Sequence, residues 1–322
     1  MARPHILIVS PASARENNGN WQTASRWMRH LSARARVTVA RGWEQGQPAP
    51  DLMIALHARR SAAALAAFAE AHPDRPSVLA LTGTDLYRDI RDDAAARASL
   101  AHATALVLLQ PQGLDELAPA EGAKARVIYQ SAPPMRPARA RAGSCDVAMI
   151  GHLREEKDPL TFMRASRLVT APGVRLLHVG GALDPALGQA ARETRLEEPR
   201  YRWLGALPHM AARRRLARCR AMAICSRMEG GANVIIEAVT SGVPVLASDI
   251  GGNRGMLGED YAGLFPLGDA AALARLIDRV AIDVRFRERL LRQCAARRPL
   301  FAPARERAAL LDLVDNLLLR TP

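Results

Sequence analysis

Lysine is almost absent from this chain. Of 45 basic residues in 322, only Lys124 and Lys157 are lysines. A formal net charge of +13 would ordinarily point to nucleic acid. The one-sided use of arginine, beside many alanines, reads instead as the codon usage of a GC-rich genome. Aromatic residues are scarce too. Five Phe, four Tyr and four Trp give too few rings to interleave with the arginines as base-stacking platforms. No nucleic-acid partner is expected, and small anionic substrates account for the charge equally well. The four cysteines, Cys145, Cys219, Cys225 and Cys294, form no CxxC pair and have no histidine at metal-ligand spacing. No metal is expected, and the thiols suit a reducing compartment.

No apolar run reaches membrane-spanning length, and no basic segment followed by an apolar one opens the chain. A soluble, cytoplasmic protein without stable membrane insertion is expected; nothing in the pattern specifies an oligomeric state. The first strand is not followed by GxGxxG, and no acidic residue follows the second strand where a ribose-binding acid should stand. A nicotinamide or flavin site is therefore disfavoured, and no cofactor is expected.

What is present is a βαβ rhythm of apolar runs and helical patterns. The runs predict strands over His5–Val9, Arg36–Ala40, Asp51–Leu56, Ser77–Leu81, Ala105–Leu109 and Arg126–Tyr129, with helices such as Trp21–Ser32 and Arg59–Ala71 between them. The stretch Ala132–Gly143, rich in proline and arginine, breaks the rhythm as a linker. A second set follows: Asp146–Ile150, Val174–Val179, Tyr201–Leu204, Ala221–Cys225 and Val243–Ser248. The expected fold is α/β, with two doubly wound parallel sheets facing a cleft. Residues 1–135 form the first domain and 136–303 the second. The C-terminal helix, about 304–322, has apolar residues at helical spacing that suit a return to the first domain.

The polar clusters fall at strand ends. The most informative is EGGANVIIE, from Glu229 to Glu237. Two glycines opening a helix at the carboxyl edge of a sheet expose backbone N–H groups to an anion. Glu229 stands just before them, and Glu237 projects about two turns along the helix. A phosphate flanked by sugar hydroxyls suits this arrangement; helix–strand packing and an ordinary helical glutamate are the plain alternative. Asn17-Asn18-Gly19-Asn20 suits an anion-binding turn or a surface loop. His57-Ala58-Arg59-Arg60 suits an anionic substrate and a proton carrier, although a lone histidine is often structural. Thr82-Gly83-Thr84-Asp85 suits substrate contact or a helix cap. Gly151-His152-Leu153-Arg154-Glu155-Glu156-Lys157 holds one of the two lysines. Arg154 and Lys157 could grip a diphosphate, or the segment is a solvated turn. Asp249-Ile250-Gly251-Gly252-Asn253 is a further glycine-bearing turn.

EGGANVIIEA followed by SGVPVLASDIGGN resembles the donor-binding half of GT-B glycosyltransferases of the glycosyltransferase 4 type, over roughly residues 146 to 282. That family carries two glutamates separated by seven residues, here Glu229 and Glu237. The resemblance implies that Glu237 holds the nucleotide ribose and Glu229 the donor sugar. Gly230, Gly231, Ala232 and Asn233 would cradle the diphosphate, helped by Arg154 and Lys157. His152 departs from the arginine often found there. In the first half, GNWQTASRWMRHL, ALHARRSAA, LTGTDLYRDI and VIYQSAP are similar to the selenosugar synthases of selenoneine biosynthesis. These join selenophosphate to the sugar of a UDP-sugar, typically UDP-N-acetylglucosamine, with formation of a C–Se bond. That likeness implies an acceptor pocket of His57, Arg59, Arg60, Gly19, Asn20, Thr82, Gly83, Thr84 and Asp85, with Glu229, Arg154, Lys157 and His57 as the catalytic set and no metal. An ordinary hexosyltransferase with a hydroxyl acceptor, a UDP-sugar epimerase and a basic nucleic-acid binder remain as alternatives.

Overall fold

The computed structural model describes residues 3–13, 19–136 and 145–319. The chain divides into two compact units, one of residues Met1–Ser131 with Ala302–Pro322 and one of Ala132–Phe301. The asparagines Asn17 and Asn18, and residues 137–144 of the linker, lie outside the described residues.

The first unit is built on β1 (His5–Val9), β2 (Arg36–Ala40), β3 (Leu52–Leu56), β4 (Ser77–Leu81), β5 (Ala105–Leu108) and β6 (Ala125–Val127). They pair in parallel in the order β2-β1-β3-β4-β5-β6. Every residue of β3 and β4 is buried, which is why these strands read as unbroken apolar runs rather than as alternating ones. Odd and even positions serve opposite faces. Ile6, Ile8, Ile54 and Leu56 pack under Trp27 and Leu31 of α1 (Gly19–Leu31). Leu7, Val9, Met53 and Ala55 pack under Leu65 and Phe68 of α2 (Ala62–Ala71). The helix expected from Arg59 starts at Ala62, because His57 takes a left-handed φ of +75° and the chain must turn before it can coil.

The C-terminal helix, Pro303–Leu319, belongs to this first unit. Leu310, Leu313, Val314 and Leu317 recur at helical spacing and enter the α1 face of the core. Its fastening is polar. Glu306 is buried, and its carboxylate accepts hydrogen bonds from Arg26 Nε at 2.8 Å, Trp27 Nε1 at 2.8 Å and Ser131 Oγ at 2.5 Å. Burial pushes the Glu306 carboxyl upward, yet the hydrogen bonds of His30, Arg26 and Ser131 together with the Arg26 charge outweigh it and hold the group below its ordinary 4.5.

The second unit contains β7 (Cys145–Ile150), β8 (Val174–Val179), β9 (Tyr201–Trp203), β10 (Ala221–Ile224), β11 (Val245–Ser248) and β12 (Leu264–Phe265), all parallel, in the order β12-β11-β10-β7-β8-β9. The sequence pattern shows five of these; β12 has only two residues and carries no periodicity. The run expected from Val243 begins at Val245, since Pro244 has no N–H to give to a ladder. The helices that matter below are α3 (His209–Leu216), α4 (Asn233–Thr240) and α5 (Gly251–Leu257).

Glu306→Ala strands the buried Arg26 guanidinium and should cost about 3–5 kcal/mol in urea unfolding. Because the folded carboxyl titrates below 4.5, its stabilisation is complete above the unfolded value and fades as pH falls through the folded one. Unfolding midpoints measured across acid pH should fall more steeply for the wild type than for Glu306→Gln.

Candidate functional site

In the second unit β10 lies beside β7, while their outgoing connections lead to opposite sides of the sheet: β10 onward to β11 and β7 onward to β8. Such a reversal opens a crevice at the carboxyl edge of the two strands. The loops leaving them are stitched together where the Arg227 N–H donates to the Glu156 carbonyl at 2.9 Å. Within this crevice Lys157 Nζ lies 2.5 Å from Glu229 Oε1, and Ser226 Oγ donates to the same oxygen at 2.6 Å. Glu229 is buried. Its Oε2 has no hydrogen-bond partner among the described residues.

Glu237 repeats the arrangement on α4. It is buried, and its Oε1 lies 2.6 Å from Nε2 of His209, the first residue of α3. Its Oε2 has no hydrogen-bond partner among the described residues. Two carboxylates are thus each held by one oxygen with the other left open. Between them in sequence lies the start of α4, where Ala232 at the N-cap position supplies no side-chain cap. Gly230 and Ala232 are buried, and Gly231 and Asn233 are half-buried. Arg154 points along its own loop, with Nε 4.0 Å from Glu156 and a half-exposed side chain.

The surrounding loops hold this geometry. A Cβ on Gly252, in the first turn of α5, would stand 1.9 Å from the Glu229 carbonyl oxygen. Only glycine lets α5 approach so closely. The adjacent Asn253 is buried and donates to the carbonyl and hydroxyl of Ser248. His152 accepts the Gly181 N–H at Nδ1, 3.1 Å away. Burial, with Arg154 and Lys157 nearby, lowers its pKa, so the ring is neutral at pH 7 and its Nδ1 is the acceptor nitrogen.

The first unit has its own cluster at the ends of β3 and β4. His57 is buried in the left-handed region, a conformation that a non-glycine residue keeps only where its surroundings enforce it. Its Nε2 lies 3.1 Å from Thr84 Oγ1 and 3.8 Å from Asp89 Oδ2. Asp89 is buried; Arg88 Nε donates to its Oδ1 at 3.1 Å, and Arg59 Nε stands 3.1 Å from Oδ2 as an ion pair without a hydrogen bond. Burial lowers the His57 pKa, Asp85 and Asp89 oppose that, and Arg60 and Arg59 add to it. The net is a neutral imidazole at pH 7. Asp85 accepts from the N–H groups of Ala58 at 2.9 Å, Thr82 at 2.9 Å and Gly83 at 2.7 Å. Its carboxylate therefore fastens the two loops. Arg60 is exposed. Gly19 and Asn20 open α1 in the connection that follows β1, the neighbour of β3.

His209, Ser226, Arg88 and Asp89 are the polar residues that sequence reasoning missed. Asp89 closes a single π-helical turn, Asp85–Asp89, a feature frequent at functional sites but without a sequence signal. His209 stands 28 residues from Glu237, and a lone histidine after a proline carries no mark of its partner. Among the described residues no group of three or more His, Cys, Asp or Glu is placed to hold a metal ion. None of the described helices is long and apolar enough to cross a membrane.

Residues 144–283 match the family described as glycosyl transferases group 1. Protein CapJ of Staphylococcus aureus is 40% identical over 63 residues, which are 20% of this chain and 16% of that protein. Several solved structures match across the length of the chain. Anabaena HepE in complex with UDP-glucose has a TM-score of 0.78 at 17% identity, covering 97% of this chain and 100% of that one. Sucrose-phosphate synthase from Thermosynechococcus elongatus has a TM-score of 0.79 at 17% identity, covering 98% and 100%. The chain has the GT-B fold, and its second unit carries the glycosyl transferases group 1 likeness.

Gly252→Ala should destabilise by about 1–3 kcal/mol, as overpacking does, because the methyl must displace the Glu229 backbone. Gly122→Ala, at a helical glycine with open space around it, should leave stability unchanged or raise it by up to about 1 kcal/mol. Thermal unfolding of the two variants provides the check.

Proposed function

We propose that this protein is a GT-B glycosyltransferase that takes a sugar from a UDP-sugar and passes it to a hydroxyl acceptor. The supporting observation is the pair of half-engaged glutamates flanking a helix start to which Ala232 gives no side-chain cap, at the β7–β10 reversal. Glu237 receives ribose hydroxyls on its open oxygen and Glu229 the hydroxyls of the donor sugar. The diphosphate lies against the backbone of Gly230, Gly231, Ala232 and Asn233, with Lys157 and Arg154 neutralising the charge that grows on the leaving UDP. The similar structure that holds UDP-glucose supports the nucleotide and the sugar class. Charge stabilisation by these residues gives a route for UDP departure that uses no metal.

A hydroxyl acceptor must lose a proton, and a neutral His57 with Asp89 beside it is suited to take one. This feature favours the hydroxyl reading. A second reading keeps the donor and changes the acceptor to selenophosphate. Two guanidiniums on one buried carboxylate, Arg59 and Arg88 on Asp89, would receive a small multivalent anion. Selenium would then attack the anomeric carbon as UDP leaves, and water would cleave the P–Se bond to release phosphate. A selenium nucleophile is already anionic and needs little help from a base, so His57 would matter less.

Two experiments test these readings. Mass spectrometry of the purified protein with UDP-glucose or UDP-N-acetylglucosamine should show UDP release and sugar transfer to a hydroxyl acceptor. A selenium-bearing sugar formed only with selenophosphate would select the second reading, and no UDP release with any donor would remove both. Lys157→Ala loses a charge-assisted contact of about 1.5–3 kcal/mol, so kcat/KM should fall about 10- to 150-fold; unchanged kinetics would take Lys157 out of the site.

A further inference from the structure

His209, the partner of Glu237, has no role in the assignments above beyond its contact. Glu237 is a carboxylate whose side chain is 9% exposed on a helix of apolar neighbours, including the buried Ile235, Ile236, Ala238 and Val239. A group so placed needs a hydrogen-bond donor, and the one it has is Nε2 of His209. Arg213, one turn further along α3, is buried and donates to the Pro133 carbonyl instead. Thr240, one turn further along α4, bonds the backbone of its own helix. His209 is 38% exposed at its side chain, so it forms part of the surface that a ligand on Glu237 would meet.

The segment that carries His209 is itself anchored. It leaves β9 through Leu204, whose N–H donates to the His178 carbonyl, and Gly205, whose carbonyl accepts the Gly180 N–H at 2.8 Å. Trp203 Nε1 donates to the Gly180 carbonyl at 2.8 Å. The imidazole therefore reaches Glu237 from a fixed base, and the carboxylate plane is set by a contact from outside α4.

We infer that His209 is a positioning residue for ribose recognition. By holding Oε1 it prevents the Glu237 carboxylate from rotating and aims Oε2 at the ribose diol. This rests on the donor reading of Glu237 given above. Without His209 the carboxylate is free to turn, and the preference for a nucleotide with a diol over one without it should shrink. A residue that merely packs α3 would instead change the affinity for both nucleotides alike.

Calorimetric titration of the full chain with UDP and with 2′,3′-dideoxy-UDP reads this preference directly. The wild type should favour UDP, and Glu237→Ala should bind both equally. His209→Ala should lower the UDP preference about tenfold, the worth of one oriented charge-assisted contact, while binding the dideoxy nucleotide as the wild type does. His209→Gln, whose amide can still donate, should recover most of the preference. If His209→Ala keeps the full preference while Glu237→Ala loses it, the role of His209 is overturned and the donor site stands. Equal weakening for both nucleotides overturns it as well. If Glu237→Ala itself keeps the preference, the donor assignment falls and the inference with it.

Discussion

A parallel sheet whose connections reverse direction leaves a crevice at the carboxyl ends of two adjacent strands, and in the second unit those strands are β7 and β10. The other features of the site follow from this constraint. It puts the loop bearing Lys157 beside the loop bearing Glu229, although the two lie 72 residues apart. It brings the start of α4 to the same edge, and it requires α5 to pass so near the Glu229 backbone that Gly252 has no room for a side chain. The order of the strands, more than any one contact, brings these groups together.

Electrostatics then decides what each carboxylate can do. Glu229 and Glu237 are both buried, and each is held at one oxygen: Glu229 by Lys157 from the neighbouring loop and by Ser226 of its own loop, Glu237 by His209 from another helix. Partial engagement keeps a buried carboxylate tolerable while leaving acceptor capacity. Glu306 and Asp85 are the contrast. Each takes three or more protein donors, and both act as fasteners. The number of donors on a buried acid thus separates the carboxylates with acceptor capacity left from those that are fully engaged.

Much of the architecture was legible in the sequence, for a physical reason. Strands buried on both faces must be largely apolar, so β1, β4 and β8 stand out with the bounds they take in the structure, and the half-exposed edge strand β2 stands out through its β-branched run Val37, Thr38 and Val39. The two-residue β12 at the sheet edge has no such run, and β11 begins late because of Pro244. The spacing of Glu229 and Glu237 was visible, and the rarity of lysine drew attention to Lys157. What could not be read were partners fixed by tertiary packing alone. His209 reaches Glu237 from another helix, Asp89 reaches Arg59 through a π-helical turn, and Asp85 turns its carboxylate inward to the backbone. Residue type and strand-end position suggested an acceptor contact for Asp85; neither shows the hydrogen bonds by which its carboxylate fastens two loops.

The C-terminal helix gives the chain a particular order of assembly. Residues 132–301 are made between Arg26 and its carboxylate partner Glu306. At a synthesis rate of about 5–20 residues per second, that interval lasts roughly ten to thirty seconds. Throughout it the nascent first sheet has an uncovered apolar face beside α1, and the Arg26 guanidinium lacks the carboxylate that will hold it. The second unit, contiguous in sequence, can complete its own core during the same wait. The segment synthesised first is therefore the last to be finished, and on the ribosome its exposed face is the one a chaperone would meet.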